Sequence, residues 1–253
     1  MFKEELQKAA EEYGIVLTAQ QIGQFNRYFE LLIEWNGKMN LTAITEPHEV
    51  AVKHMIDSLS AWDEQVFPEG ASIIDVGTGA GFPGLPLKIY RPDLKLTLLD
   101  SLNKRVKFLQ EVTDALGLSG VECIHARAEE AARSRLYRER FDAAVSRAVA
   151  RLPILAEYCL PFVRKGGFFV ALKGMQYKEE MQEALQAVKL LGGGKLQSCP
   201  VKLPGLDDVR AVIRIPKLRQ TPAVYPRKAG TPEKNPLGAV QKKDLADKKR
   251  NKK

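Results

Sequence analysis

Cysteine and histidine are scarce in this chain, three of each in 253 residues. Cys123, Cys159 and Cys199 stand far apart and form no CxxC pair. That argues against a disulfide framework or a structural zinc site and fits a reducing, cytoplasmic setting. His48, His54 and His125 are too few for a histidine-rich metal centre, so no metal is expected. No apolar run approaches the length of a bilayer span, and the opening Met1-Phe-Lys-Glu-Glu-Leu has no apolar core of a secretory signal. Neither a membrane partner nor export is therefore expected, and no internal repeat is visible. What remains is an ordinary globular balance, 45% hydrophobic and 28% charged. The length suits one sizeable α/β domain with a small appendage.

The charge is unevenly placed. The formal net charge is +8, yet residues 217–253 hold 12 Lys and Arg against 3 Asp and Glu, leaving the remainder close to neutral. A basic arm of this kind fits a polyanionic partner such as nucleic acid, or else a solvated tail that aids solubility.

The first 62 residues or so read as helices. Thr18-Ala-Gln-Gln21 forms a capping-box pattern, followed by Ile22, Phe25, Phe29, Leu32 and Ile33 on one face, with Asn36-Gly37 as a stop. A second helix is predicted from Thr45 as N-cap with Pro47 in its first turn; its apolar face carries Val52, Met55, Ile56 and Leu59. From Ser72 the pattern becomes alternating strands and helices. Strands are predicted at 72–76, 95–99, 121–125, 141–145 and 167–172, and helices at 103–116, 128–138, 153–163 and 176–191. A closing antiparallel pair, 195–203 and 209–215, turns at Pro204-Gly205. Five βα units call for a mostly parallel, doubly wound sheet with helices on both faces.

The most informative stretch is Asp75-Val-Gly77-Thr-Gly79-Ala-Gly81-Phe82, between the first strand and a helix. Glycines there let the backbone turn sharply and approach a ligand, at the strand end where open α/β sheets bind nucleotides. The spacing is G-x-G-x-G rather than the dinucleotide G-x-G-x-x-G. The acid two residues earlier suits an ammonium group better than a pyrophosphate. Asp100 ends the second strand, where a carboxylate can accept hydrogen bonds from a ribose diol; this serves NAD and S-adenosylmethionine equally. Glu129 follows the third strand, where such sheets place adenine. Its alternative is a first-turn acid beside a helix dipole.

Taken together the chain resembles the bacterial 16S ribosomal RNA guanine-N7 methyltransferases of the RsmG (GidB) family. The resemblance rests on Trp35–Ile44, His54–Leu59, Asp75–Pro86, Asp100–Arg105, Ser146-Arg-Ala148, Leu172-Lys-Gly174, Tyr225-Pro-Arg227, Gly230-Thr-Pro232 and Pro236-Leu237, in that order. It implies a class I, Rossmann-like methyltransferase divided into a helical extension (1–68), an S-adenosylmethionine-binding core (69–216) and a basic arm (217–253). No role carries over to the Lys-rich end past Leu237. The resemblance also implies N7 of guanine 527, in the 530 loop of small-subunit rRNA, as the methylated atom. The partner would be 16S rRNA, the small subunit or an assembly intermediate, met by a cytoplasmic monomer. It places the cofactor against Gly77, Phe82, Ala128, Glu129 and Arg147, beside the loop residues Asp75, Gly79 and Gly81 and the ribose acid Asp100. Arg127, Arg147, Lys173 and Arg210 match the substrate side.

N7 of guanine has a lone pair and no proton, so this chemistry needs positioning rather than a general base. Arg and Lys would grip O6 and phosphates. His54, Asp57 and Ser58 share a helical turn and stand as cleft-wall candidates, with a plain helix-surface role as the alternative. Two other functions compete. An NAD-dependent dehydrogenase would need the other glycine spacing and a hydride-chemistry pair such as Tyr-Lys. A non-catalytic RNA-binding or assembly factor explains the basic arm but not the cofactor constellation.

Overall fold

The sheet positions everything else. In the computed structural model, which describes residues 1–238, seven strands lie in the order β3-β2-β1-β4-β5-β7-β6. They are β1 (Ser72–Val76), β2 (Lys95–Asp100), β3 (Val121–His125), β4 (Phe141–Arg147), β5 (Val163–Lys173), β6 (Gln197–Val201) and β7 (Arg210–Pro216). β1 to β5 pair in parallel, and β7 lies antiparallel to both β5 and β6. This is the expected α/β class with an antiparallel edge. The strand order reverses between β1 and β4, the switch point at which ligands enter such sheets.

Both faces of the sheet are covered, which is why the central strands carry continuous apolar runs, Ile73-Ile74, Ala143-Ala144-Val145 and Phe168–Leu172, rather than alternating. Ile73, Val145 and Val170 point into one core, Ile74, Ala144 and Phe169 into the other. The first core is closed by α1 (Phe2–Tyr13), α2 (Ala19–Met39), α3 (Pro47–Val50), α4 (Asp57–Leu59), α5 (Gly84–Tyr90) and α6 (Asn103–Ala115). The second is closed by α7 (Ala128–Ala131), α8 (Leu152–Cys159) and α9 (Tyr177–Leu190). The N-terminal helices therefore share a core with the sheet. Each fully buried Leu, Ile or Phe in it contributes about 1.5–3 kcal/mol.

The capping box at Thr18 forms as expected: Gln21 N–H donates to Thr18 Oγ1 at 3.2 Å, and Thr18 N–H to Gln21 Oε1 at 2.8 Å. The buried stripe of α2 is Phe25, Tyr28, Leu31 and Leu32, rotated from the expected face because Tyr28 has a partner for its hydroxyl inside. α2 also runs past Asn36-Gly37 to Met39; Asn40, at φ 46°, is the residue that takes the left-handed cap. The next helix begins at Pro47 with Glu46 as its N-cap, one residue later than expected. It then passes through a π-helical stretch, Ala51–Ile56, before α4.

The larger difference concerns the C-terminal arm. Its described part does not trail away from the core. Lys217 is wholly buried, its Nζ donating to Leu160 O and Thr221 Oγ1 at 2.5 Å each. Arg138 donates to the carbonyls of Thr221 and Tyr225, and α10 (Thr231–Lys234) sits against α8. Proline-rich sequence without a period here means an extended strap held by side chains, not a free tail. The Lys-rich end, to which the sequence assigns RNA contact or solubility, lies outside the described residues.

Candidate active site

Three adjoining cavities line the carboxyl edge of β2, β1, β4 and β5. The smallest, about 100 Å³, is walled by Gly77, Asp100, Arg127, Ala128, Glu129 and Glu233 among others. The central one, about 410 Å³, takes in Gly77, Gly79, Phe82, Asp100, Arg147 and Val149. The third, also about 410 Å³, is walled by Lys53, His54, Asp57, Arg147, Lys173 and Arg210. Gly77 and Asp100 are shared by the first two, and Arg147 and His54 by the last two. A larger cavity of about 770 Å³ beside α9 meets none of the expected residues, and its Arg151 and Glu183 pair with each other.

The glycine loop is held from below and behind. Gly77 N–H and Thr78 N–H both donate to Leu99 O, at 2.8 and 3.1 Å, which pins the loop to the end of β2. Gly77 has φ 69°, and a Cβ there would lie 2.6 Å from Val149 Cγ2, so only glycine fits between β1 and the loop after β4. Gly81 has φ 101° and packs against Tyr28, whose hydroxyl donates to Ala80 O. Phe82 stacks on Tyr28 and lies beneath the Arg147 guanidinium, 4.8 Å from ring centroid to Cζ.

Asp75 and Gly81 line none of these cavities. Asp75 is fully buried; its Oδ2 accepts from Thr78 Oγ1 at 2.7 Å and from Gly84 N–H at 2.8 Å, while Oδ1 has no partner. Instead of reaching the opening, its carboxyl braces the loop from underneath. Burial, only partly offset by those two hydrogen bonds and by Arg147, pushes its pKa up to about 7.

Asp100 is fixed by its own neighbours: Oδ1 accepts from Leu102 N–H and Oδ2 from Gly79 N–H, both at 2.9 Å, with Arg105 at 3.5 Å. Glu129 is 4% exposed and accepts from Gly230 N–H at 2.9 Å through Oε1.

The expected basic residues divide. Arg127 is exposed at the rim of the small cavity, well along the edge from Lys173 and Arg210. Arg147 sits at the junction. It donates to Asp57 Oδ2 at 2.8 Å, to Lys53 O at 3.1 Å and toward His54 Nδ1 at 3.3 Å. Asp57 Oδ1 takes Arg210 at 3.1 Å, so one buried carboxylate clamps two guanidiniums. Lys173 donates to Ala150 O at 2.6 Å and pairs with Glu180 at 2.7 Å, which ties the loop after β4 to α9. Between Arg147 and that loop, Ala148 holds φ 57°, a strained conformation of the kind concentrated at functional sites.

His54 comes from the π-helical stretch, a distortion often found at such sites. Its Nδ1 lies 3.2 Å from Lys53 O and 3.3 Å from the Arg147 guanidinium, and its Nε2 shares a hydrogen bond with Thr42 Oγ1 at 2.8 Å, so both ring nitrogens are engaged. Burial first, then Arg147, lowers the His54 pKa to about 3, so the ring is neutral. Of the cleft-wall candidates, His54 and Asp57 line the third cavity. Ser58 does not; it donates to His54 O at 2.6 Å inside the helix. Sequence reasoning missed Val149, Tyr158 and Glu233. For Glu233 a signal existed, since Gly230-Thr-Pro232 precedes it.

Comparison with known proteins bears on this geometry. Residues 21–204 match the family described as rRNA small subunit methyltransferase G. The chain is 52% identical over 232 residues to the ribosomal RNA small subunit methyltransferase G of Alkaliphilus metalliredigens, covering 92% of this chain and 97% of that protein. With the protein of the same name from Desulforamulus reducens it shares 50% identity over 232 residues, at 92% and 97% coverage. Among solved structures it resembles a predicted O-methyltransferase, Atu636 of Agrobacterium tumefaciens. The TM-score is 0.52 at 20% identity, over 66% of this chain and 81% of that one, a likeness of fold.

Proposed function

From the premise that this chain belongs to the rRNA small subunit methyltransferase G family, we propose that it methylates N7 of guanine 527 in the 530 loop of 16S rRNA. It is an rRNA methyltransferase, and S-adenosylmethionine is its cofactor. The donor set fits that ligand: Asp100 and Glu129 are carboxylates at neighbouring strand ends, suited to the hydroxyl and amino donors of adenosine. Once ionised, above about pH 7, Asp75 beneath the loop would favour a cationic amino-acid end. When bound, the cofactor supplies an electrophilic methyl on a charged sulfur.

The observation that carries the N7 reading is the lack of a free general base in the third cavity, among the described residues. His54 is neutral with a pKa lowered to about 3, and Asp57 and Glu180 are tied to Arg147, Arg210 and Lys173. A site of this kind cannot readily deprotonate an exocyclic amine, but N7 asks for no deprotonation. Arg147 at the junction would orient the base through O6, and Arg210 and Lys53 would meet phosphates. Arg127, on the rim beside the adenosine end, would reach the RNA backbone only outside the catalytic cavity. A guanine in a loop suits such an enclosed site better than one stacked in an A-form helix, whose N7 groove is deep and narrow. The setting that follows is a cytoplasmic monomer acting on rRNA, a subunit or its precursor. The test is to map modified guanines in rRNA from cells lacking and regaining the protein. N7-methylguanosine should vanish and return at position 527. Loss at another nucleotide would sink the position, and a methyl on an exocyclic amine would sink the base-free reading.

A further inference from the structure

The strap formed by residues 217–237 ends on the cofactor cleft rather than on the RNA side. Its anchors are strong. Arg227 donates through its backbone N–H and its guanidinium to Glu157, which is fully buried, at 2.6–3.1 Å. Arg133 donates to Pro226 O at 2.6 Å, and Pro232 is buried. Beyond these anchors Gly230 N–H seats on Glu129 Oε1 at 2.9 Å, and Glu233 Oε1 accepts from Tyr158 O–H at 3.2 Å. Tyr158 is itself 6% exposed, and its phenol is pushed up first by burial and then by Glu129 and Glu233, so it remains a donor.

The consequence is a pair of carboxylates in one small cavity. Glu129 is more than nine-tenths buried, lines that cavity, and among the described residues has a hydrogen-bond partner on Oε1 alone. Glu233 lines the same cavity from the strap, and its Oε2 likewise has none among the described residues. Two carboxylates lining one small space fit a ligand edge that carries two donors. The 6-amino group of adenine carries two N–H bonds.

We infer that Glu233, delivered by the strap, is a specificity residue of the cofactor site, sharing with Glu129 the recognition of the adenine 6-amino group. The strap is thus a wall of the cofactor pocket, and its docking on Glu129 is coupled to ligand binding. This inference rests on the cofactor and not on the identity of the methylated RNA atom.

Calorimetric titration of the full-length protein with S-adenosylhomocysteine and S-inosylhomocysteine tests it without any turnover. The inosyl compound carries a 6-oxo acceptor in place of the amino donor, so facing carboxylates should reject it. Glu233→Gln should weaken the adenosyl ligand by about tenfold, the scale of one hydrogen bond to a charged group. The same variant should leave the inosyl ligand unchanged or tighter, because the amide can donate to the oxo group. Glu233→Ala should weaken only the adenosyl ligand. Glu233 is exposed and its one side-chain partner is the hydroxyl tip of Tyr158, whose ring is held by the core, so both variants should fold, with melting temperatures near the parent's. An adenosyl-to-inosyl ratio unchanged in both variants, including equal losses of the two ligands, would overturn the assignment and leave the strap a structural brace.

Discussion

Asp75→Asn is the perturbation whose outcome the structure fixes most sharply. Asp75 is fully buried with one oxygen unpartnered, and its pKa is pushed up to about 7 from the 3.8 of a free side chain. The sign follows from that direction. Below about pH 4 the carboxyl is protonated in both states and imposes no penalty. As pH rises from 4 through 7 the unfolded chain ionises first, and stability is lost. A difference of about three pKa units corresponds to roughly 4 kcal/mol across that window. Asparagine cannot ionise and can still accept from Thr78 and Gly84, but its amide would leave two buried N–H donors unsatisfied where the protonated carboxyl leaves one O–H, a difference of about 1–3 kcal/mol. The variant should therefore be less stable than the parent at pH 4–5 and more stable at pH 8. The difference between them should swing by about 3–4 kcal/mol. Urea denaturation of both proteins at several pH values measures it. His54 destabilises both alike as pH falls from 6.5 toward about 3, so the comparison cancels that effect. At pH 8, where the parent's Asp75 is ionised and the variant's asparagine is not, the cationic amino-acid end of the cofactor should bind the variant more weakly. Stability curves running parallel across the window would refute the reasoning.

Two further outcomes follow from the same geometry. Arg147→Ala should lower the methylation rate by about two orders of magnitude. It should cost only about 1–2 kcal/mol of stability, because Asp57 keeps Arg210 as a partner; an unchanged rate removes Arg147 from the site. Deleting residues 239–253, which hold seven Lys and Arg against two Asp, should weaken RNA affinity and flatten its salt dependence in filter binding. An unchanged slope would leave that end without a role on RNA.

The strand positions and the glycine loop were legible because both follow from local pattern: a short, mainly apolar segment, then glycines that must take positive φ. Arg147 and Lys173 were legible as strand ends. Less visible was what those side chains would meet. Asp57 and His54 come from a helix more than 80 residues away in sequence, and the π-helical turn that aims them has no compositional signature. Asp75 reads the same in a motif whether its carboxyl faces a ligand or the underside of the loop; only burial separates the two. The docking of the arm from Lys217 was hidden for a related reason. Its Pro, Gly and Lys content resembles a loose tail, yet Lys217 and Arg227 find buried acceptors at Leu160, Thr221 and Glu157.

The charge layout along the cleft explains why Arg147 is clamped. The adenosine end is walled by acids, which suits a cationic methyl donor, and the far end by bases, which suits a polyanion. Arg147 belongs to both cavities, and an uncompensated guanidinium there would repel the sulfonium it must lie beside. Asp57 neutralises that charge while sparing the guanidinium's remaining donor capacity. Asp57→Asn should then weaken S-adenosylmethionine by several-fold but leave S-adenosylhomocysteine nearly unaffected, since only the former carries a positive sulfur. Unlike charges across a partly wet cleft interact by about 1–4 kcal/mol at 4 Å, and like charges repel on the same scale, which is enough to resolve by calorimetry. Equal weakening of both ligands would mean that the substitution acts by disordering the cleft, and that Asp57 holds position rather than balancing charge.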